Sequence, residues 1–389
     1  MTKVVIDEIE VIEARYQLPD LGKDSEGVGI VFQPKGQKGV TSFGYRVKSS
    51  AGIVGEYVGG DSPSFAQFLK FGRSLIGHDA LAREQIYDLA KHALRKFDKM
   101  GIGPFDIALW DLAGKYYGSS VSELLGGWRK VVPCYASTMA GDRNGGLDSP
   151  DAFAKFALEC KELGYPAFKL HLWDDYSLEE VIATVYAVRE AVGEAMGLML
   201  DPAGKLRSWL EAWQVGKACD EANFLWLEDL YKDQGLSIHG HARLRQLLRT
   251  PLLQTEHVRG LEEHVNFIQG GGTDLVRVDP EYDGGITGAM KIAHAAEGFG
   301  LDVEIHAPGP AQRQIMAAIR NTNFYEMALV HPLTTQIGRA QEIYADGYRD
   351  GLREIDVNGM VKVPDGAGLG VTYDWESLRA HAVDSVVLK

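Results

Sequence analysis

Three apolar runs that each end in an acidic residue decide the fold of this chain: GLMLD at 197–201, NFLWLE at 223–228 and PLLQTE at 251–256. The acidic residues Asp201, Glu228 and Glu256 are evenly spaced, since 228 − 201 = 27 and 256 − 228 = 28. This interval suits one strand plus one helix of a parallel (β/α)8 barrel, which has about 250 residues in all. Carboxylates at the ends of consecutive barrel strands converge, and such oxygen ligands suit Mg²⁺. The spacing therefore predicts a barrel with a Mg²⁺ site.

The same period continues on both sides of these runs. With VVPCYAS at 131–137 as the first strand, the chain has eight strand-like runs, nearly all followed by a helical stretch. Seven of the eight carry a polar or ionisable residue near the carboxyl end, where barrels of this kind place their active sites. The further candidates are Lys169 and His171 in PAFKLHL, Asp279 at the end of DLVRVD, His306 at the end of LDVEIH, and Glu326 in NFYEMAL.

The rest of the chain divides into an amino-terminal and a carboxyl-terminal part. Residues 1–130 contain strand-like runs followed by helical runs, the segregated pattern of an α+β domain. Within them, residues 18–40 are rich in Gly and Lys, and we expect this segment to be mobile. Residues 131–350 form the predicted barrel, and residues 351–389 have strand and turn composition that predicts a return to the amino-terminal domain.

Composition indicates an ordinary globular enzyme. The 389 residues are 45% hydrophobic and 24% charged, and the net charge of −14 argues against a nucleic-acid or anionic-membrane partner. The three cysteines have no CxxC spacing and suit a reducing compartment. The amino terminus alternates like a strand and contains no apolar signal core, so we expect a cytoplasmic protein.

Several ordered motifs together resemble one family. They are the helix IALWDLAGKYYGSSVSELLGG at 107–127, the three carboxylates, the Asp279 and His306 pair, GGITGAMKIA at 284–293, and PDGAGLGV at 364–371. This set resembles the enolase superfamily, specifically its mandelate racemase-like subgroup. The resemblance implies an α/β fold in which an α+β capping domain sits on a modified (β/α)7β barrel. It also implies Mg²⁺ as cofactor and abstraction of the proton alpha to a substrate carboxylate.

Roles for individual residues follow from this chemistry. Lys169 and His171 are two apart on one strand, so both face the barrel interior. By resemblance, Lys169 would contact the substrate carboxylate and Glu326 would hydrogen-bond it. His306 suits proton transfer near neutral pH, and Asp279 would fix its tautomer. The predicted substrate contacts are Tyr135, Trp173 and Tyr282.

Two positions depart from the pattern of the resembling enzymes. His171 stands where many relatives have a second lysine, so it could be a base, an acid or a hydrogen-bond donor. Ala203 stands where relatives have Asn, or a His that protonates the leaving hydroxyl. Asp229, next to Glu228, is expected to support the metal ligands rather than bind the metal.

We therefore predict a Mg²⁺-dependent lyase that dehydrates a sugar acid to a 2-keto-3-deoxy acid. The alternatives are a racemase or epimerase of an α-substituted acid that uses His171 and His306 on opposite faces, and a carboxylate-binding homologue without turnover. We expect a small carboxylate as substrate, no nucleic-acid or membrane partner, and a homo-oligomer.

Overall fold

The computed structural model describes residues 3–25, 27, 29–127 and 129–389, which form two sheets. The smaller sheet contains two long antiparallel strands, β1 and β2, and the short strand β3, which pairs with β2. The helices that follow pack on this sheet and lead into the barrel. These elements are β1 (Ile6–Lys23), β2 (Ile30–Ser49), β3 (Val54–Val58), α1 (Ser62–Phe68), α2 (Arg83–Ala93), α3 (Gly103–Tyr117) and α4 (Val121–Leu124).

The segment predicted to be mobile includes residues 26 and 28, which lie outside the described residues, but its described part forms a β-hairpin packed on the barrel, so that expectation is wrong. Strand β1 pairs with β2 as far as Lys23 and Ile30, close to the turn. The physical reason is that apolar residues persist within the Gly- and Lys-rich composition. Leu18 and Leu21 are buried against Met139 of the barrel. The hairpin therefore covers the barrel rather than moving freely in solvent.

The larger sheet is the predicted barrel. Its eight parallel strands are adjacent in the order β10-β9-β8-β7-β6-β5-β4-β11, and β10 also contacts β11, so the sheet curls back on itself. The strands are β4 (Val131–Thr138), β5 (Ala167–His171), β6 (Gly197–Asp201), β7 (Trp226–Glu228), β8 (Leu252–Gln254), β9 (Leu275–Val278), β10 (Val303–Ile305) and β11 (Tyr325–Val330).

Each of the first seven barrel strands is followed by a helix, whereas no helix follows β11 within the fully described stretch 331–359. This is the (β/α)7β arrangement. Four successive helices begin at a serine whose hydroxyl accepts a backbone N–H, a cap worth about 1 kcal/mol. The helices are α5 (Pro150–Leu163), α6 (Leu178–Val192), α7 (Trp209–Glu221), α8 (Ile238–Leu247), α9 (Gly260–Gln269), α10 (Gly285–Gly298) and α11 (Pro310–Ala318).

The carboxyl-terminal segment contacts both sheets. Its elements are β12 (Met360–Lys362), α12 (Trp375–Ala380) and β13 (Ala382–Leu388). Strand β12 pairs with β4 of the barrel, and β13 pairs with β1 at the edge of the smaller sheet. The domain limits at residues 130 and 350 stay predictions. None of the described helices has the length and apolar character needed to cross a membrane.

Helix α3 joins the two parts, and this explains two of the sequence motifs. Its Asp106 carboxylate accepts from the backbone N–H and the hydroxyl of Thr287 at 2.9 and 2.7 Å, and Trp110 Nε1 donates to the same hydroxyl at 2.9 Å. Thr287 lies in the first turn of α10. A Cβ at Gly285 would lie 2.2 Å from an Asp106 carboxylate oxygen, so glycine permits this close approach.

The interior of the barrel is closed by a layer of apolar side chains. The layer contains one residue from each of five consecutive strands, and these residues form a cluster separate from the main core. They are Tyr135, Ala167, Met199, Trp226 and Leu253. Because side chains alternate along a strand, the residues two positions later face the interior one layer higher. The apolar layer is thus the floor on which the charged site is built.

The close approach of α3 to the barrel gives a stability prediction. A Cβ at Gly103 would lie 2.0 Å from the backbone oxygen of Glu281, so Gly103→Ala should destabilise the fold by about 1–3 kcal/mol. Gly298→Ala is the matched helical control, because a Cβ there meets nothing within 4 Å. Urea unfolding measures both. Equal stability of the two variants would contradict the tight contact.

Candidate active site

The layer above the apolar floor is charged. Lys169, Asp201 and Glu228 lie two residues beyond Ala167, Met199 and Trp226, and so face the same interior. Glu326 projects into this layer from β11, since its carboxylate contacts Lys169. The remaining predicted residues follow the ends of their strands: Glu256 after β8, Asp279 after β9 and His306 after β10. The parallel strands bring all of them to one end of the barrel.

Lys169 is the centre of this layer. Its Nζ lies 3.3 Å from Asp201 Oδ2, 2.9 Å from Glu228 Oε2 and 2.9 Å from Glu326 Oε1. Burial opposes the charge, but Glu228 and Glu326 outweigh it and hold the pKa of Lys169 well above its ordinary value. Lys169 is therefore a permanent cation inside the barrel.

Arg277 is a second buried cation that the sequence analysis missed. Its Nη2 donates to Glu326 Oε2 at 2.5 Å, and its Nη1 donates to the Tyr135 hydroxyl at 3.2 Å. Its Nε lies 2.8 Å from Glu228 Oε1. The available signal was its position two residues before Asp279, which places both on one face of the strand.

The carboxylates around these two cations could hold a divalent metal ion. Four carboxylates lie within ion-pair distance of Lys169 or Arg277, so the ionised layer carries two negative charges in excess: Asp201, Glu228, Glu256 and Glu326. Burial raises the pKa of Glu228 to about 8 despite Arg277 and Lys169. The Glu228 Oε1 atom forms an ion pair with Arg277 Nε at 2.8 Å but accepts no well-aligned hydrogen bond from the described residues. Charge and donor type therefore both fit Mg²⁺.

The oxygen atoms of the three predicted metal ligands do not form a group in which all lie within 4.8 Å of one another. Among the described residues, the group whose ligand atoms all lie within 4.8 Å of one another is Asp229, Glu256 and His257. Asp201 and Glu228 face Lys169 instead. Spacing along the chain predicts which residues share an end of the barrel, but the intervening cations decide which oxygen atoms meet. The ligand set therefore stays a prediction.

His257 was not a sequence candidate. Its Nε2 donates to Asp229 Oδ2 at 2.9 Å. Burial opposes the charge on the ring, but this hydrogen bond outweighs it and raises the pKa of His257 to about 9. His257 holds Asp229 beside Glu256, where both carboxylates could offer an oxygen to a metal ion, so the supporting role expected for Asp229 stays a prediction.

His306 and Asp279 form the predicted pair. His306 Nδ1 donates to Asp279 Oδ2 at 2.6 Å, and Nε2 lies 3.4 Å from Glu256 Oε1. Asp279 Oδ1 accepts from the backbone N–H of Glu281 at 2.7 Å, which fixes the carboxylate. Burial lowers the pKa of His306, but Glu256 and Asp279 outweigh it and raise the pKa to about 9.

His171 is held at both ring nitrogens. Nδ1 donates to the backbone oxygen of Thr138 at 2.6 Å, and Nε2 lies 3.0 Å from Asp201 Oδ2. Both partners are oxygen atoms, so each ring nitrogen of His171 is engaged in a hydrogen bond. In this arrangement His171 orients Asp201.

Strained backbone accompanies these strand ends. Four non-glycine residues beside the predicted ligands and base adopt positive φ angles: Ala203 at 50°, Asp229 at 36°, Thr255 at 94° and Ala307 at 62°. Such conformations cost about 1–3 kcal/mol each and cluster at functional sites. Their position supports an active site at this end of the barrel.

The predicted substrate contacts lie in three different surroundings. Tyr135 is fully buried below Lys169 and accepts from Arg277, so it supports the charged layer. Trp173 is also buried, with Nε1 donating to the backbone oxygens of Asp142 and Leu147, and it lies beyond the last residue of β5. Its place in the pocket wall stays a prediction. Tyr282 lines a small cavity of about 150 Å³ between cap and barrel.

A larger cavity of about 430 Å³ opens beside His171 and Ala203. The β1–β2 hairpin covers it through Gly29 and Ile30. This volume lies in the range of about 300–1,000 Å³ typical of small-molecule sites.

Family comparisons match both sheets of the chain. The family described as enolase C-terminal domain-like matches residues 152–377. The amino-terminal domain of mandelate racemase / muconate lactonizing enzyme matches residues 41–126.

Individual relatives extend over most of the chain. D-galactarolactone cycloisomerase from Agrobacterium fabrum is 30% identical over 338 residues, which cover 83% of this chain and 86% of that protein. L-talarate/galactarate dehydratase from Salmonella typhimurium is 29% identical over 283 residues, which cover 71% and 67%. The structure of D-glucarate dehydratase from Agrobacterium tumefaciens complexed with magnesium superposes with a TM-score of 0.88 at 29% identity, covering 98% of this chain and all of that one.

The metal site gives a prediction about Glu228. Glu228→Gln should lower Mg²⁺ affinity because it removes a buried charge. The loss should be at least about 10–100-fold, which is the loss typical when a residue that supports a metal ligand is removed. Glu228 also pairs with the buried Lys169 and Arg277, so circular dichroism must first show that the variant is folded. Isothermal titration with Mg²⁺ measures the affinity.

Glu304→Gln is the matched control for this change. Glu304 is another buried strand glutamate, but its carboxylate bonds Asn323 and the backbone N–H of Phe324. Equal Mg²⁺ affinity of the two variants would remove Glu228 from the ligand set.

Proposed function

This chain belongs to the mandelate racemase and muconate lactonizing enzyme family of the enolase superfamily, and we propose that it is a Mg²⁺-dependent lyase that dehydrates a sugar acid. The observation that carries the proposal is the His306–Asp279 pair, whose Nε2 makes no hydrogen bond among the described residues and lies 3.4 Å from Glu256 in the carboxylate layer. The named dehydratases among the relatives support the same chemistry.

The proton transfer would begin at His306 Nε2. With Nδ1 bound to Asp279, the neutral ring has its lone pair at Nε2 and can take the proton alpha to a carboxylate. The C–H electron pair moves into the carboxylate group and then returns to expel the hydroxyl at the neighbouring carbon. The hydroxyl leaves as water with one proton, either from the protonated His306 ring or from solvent to which His306 then releases its proton, and the resulting enol tautomerises to the 2-keto-3-deoxy acid.

Lys169 would stabilise the charge that this step creates. It is a permanent buried cation, so it can attract the substrate carboxylate throughout the reaction. Asp201, Glu228 and Glu256 would hold Mg²⁺, and the bound metal would supply electrophilic stabilisation of the same carboxylate. Arg277 positions Glu228 and Glu326 around Lys169.

Ring opening of a sugar-acid lactone is a second candidate, and Ala203 favours it. A departing hydroxide is strongly basic and needs a proton, which Ala203 cannot give. The ring oxygen of a lactone leaves as a carboxylate with a pKa of about 4, and needs none. The relative named D-galactarolactone cycloisomerase agrees with this alternative.

The contacts of His171 disfavour the racemase alternative. A racemase needs a second base on the opposite face of the substrate, whereas both nitrogens of His171 face acceptors.

Turnover of a substrate panel tests the proposal. We expect Mg²⁺-dependent conversion of at least one six-carbon sugar acid to a keto-deoxy product, followed by ¹H NMR in D₂O. Conversion of lactones alone would support the ring-opening alternative. Exchange of the α-proton with scrambling of configuration would support a racemase, and binding without exchange would contradict an enzymatic role.

The pH profile tests the role of His306. The neutral ring is the base, so kcat/KM should rise as pH increases through the raised pKa of His306. Asp279→Asn removes a contact that favours the protonated ring, so this rise should move to lower pH. The maximal rate should also fall about a hundredfold or more, because the tautomer is no longer fixed.

Asp365→Asn serves as the control for this variant. Asp365 pairs with Lys362 at the surface, so the profile of its variant should match the wild type. An Asp279→Asn profile with unchanged position and height would exclude the proposed pair.

A further inference from the structure

Two chemically different groups of residues line the cavity beside His171. His171 and Ala203 contact the metal-ligand candidate Asp201 through Nε2 and the backbone N–H. Lys205, Lys232 and Gln234 also line the cavity, together with Gly29 and Ile30 of the hairpin. We call the part lined by Lys205, Lys232 and Gln234 the far end. A substrate whose reacting carboxylate lies near Lys169 would extend past His171 into this cavity.

The two lysines at the far end differ in their partners. Lys205 Nζ contacts Asp174 and lies 3.4 Å from Asp24 Oδ2, so its charge is already neutralised. Lys232 has no carboxylate within ion-pair distance in the part of the chain that the structure describes. Lys232 interacts electrostatically with Glu211 and, after the Tyr176 hydrogen bond and Arg207, helps to lower the pKa of that carboxyl against the effect of burial. Lys232 is thus the cation at the cavity that can accept a new anion.

The backbone holds Lys232 in place at this end. Its N–H donates to Leu206 O at 3.0 Å, and the preceding residue Tyr231 forms a parallel bridge with Leu206. Gly204 N–H donates to Asp229 O at 2.6 Å. This second hydrogen bond joins the loop after β6, which contains Gly204 and Leu206, to the residue that follows Glu228 of β7. The loop that carries Lys232 therefore has a fixed position relative to the charged layer.

The wall of the cavity contains two lysines and one aspartate. Lys205 faces two carboxylates, whereas Lys232 is exposed and no described carboxylate within ion-pair distance offsets its charge. An exposed cation at the wall of a cavity suits an anionic ligand group.

We propose that this cavity binds the far carboxylate of a dicarboxylic sugar acid, with Lys232 as its cationic partner. The inference rests on the proposed function and names its substrate class. A monocarboxylic sugar acid has a hydroxymethyl group at the far end, so it makes no charge-assisted hydrogen bond with Lys232. Lys232 therefore selects dicarboxylic over monocarboxylic acids, since a site built to bind a charged group rejects an analogue without it.

Paired substrates test the role of Lys232. The kcat/KM values for six-carbon dicarboxylic acids and for the matching monocarboxylic acids give the preference of each variant. We expect Lys232→Gln to lower this preference about tenfold, mainly through the KM of the diacid, because one charge-assisted hydrogen bond is lost. Lys232→Arg keeps the charge and should retain most of the preference. Lys155→Gln removes an exposed lysine of α5 and should match the wild type.

Binding measurements separate the two proposals. Calorimetry with the diacid compares the wild type with Lys232→Gln without requiring turnover. Affinity that depends on Lys232 without turnover or α-proton exchange would support the inference and contradict the proposed lyase. Three results would overturn the inference: a diacid preference that is unchanged in Lys232→Gln, a wild type that prefers monocarboxylic acids, and a wild type that binds no diacid. The first two results involve turnover, so the lyase activity would still stand.

Discussion

Lys169 and Arg277 are buried inside the barrel among carboxylates, and the rest of the site depends on how these charges neutralise one another. Removing one partner of a buried ion pair costs about 3–5 kcal/mol, because the remaining charge has no solvent to stabilise it. The cations therefore hold Glu228 and Glu326 in place before any substrate arrives. They also leave the layer with more carboxylates than cations, which suits a bound divalent metal. One set of contacts thus serves both the stability of the barrel and the electrostatics proposed for catalysis.

The strand period that builds the barrel also builds this layer. Apolar residues such as Met199 and Trp226 close the floor, and the next inward residues of the same strands, Asp201 and Glu228, are charged. A shift of one residue would turn the charged side chains towards the helices, where burial without partners is costly. The outer covering follows a similar rule. The β1–β2 hairpin places Leu18 and Leu21 against the barrel, while its glycines and lysines account for its polar composition.

Much of this arrangement could be predicted from sequence, because strand ends are local patterns that repeat along the chain. The eight barrel strands, the His306–Asp279 contact and the burial of Lys169 all follow from such patterns. Arg277 was missed because it lies within the apolar run LVRV, and its partners Tyr135, Glu228 and Glu326 are distant in sequence. The hairpin was misjudged because composition was weighed above alternation.

The two histidines have different contacts, and this makes the site asymmetric. His306 has one nitrogen bound to Asp279 and the other facing the carboxylate layer, whereas His171 has both nitrogens engaged. The cavity of about 430 Å³ lies on the His171 side and is lined by His171 itself. In this geometry the proton would leave on the β10 side, while the remainder of the substrate extends past β5 under the hairpin. A substrate bound in this way presents one face to one base. The asymmetry favours elimination, in which a single face loses its proton, over racemisation, in which both faces need a base.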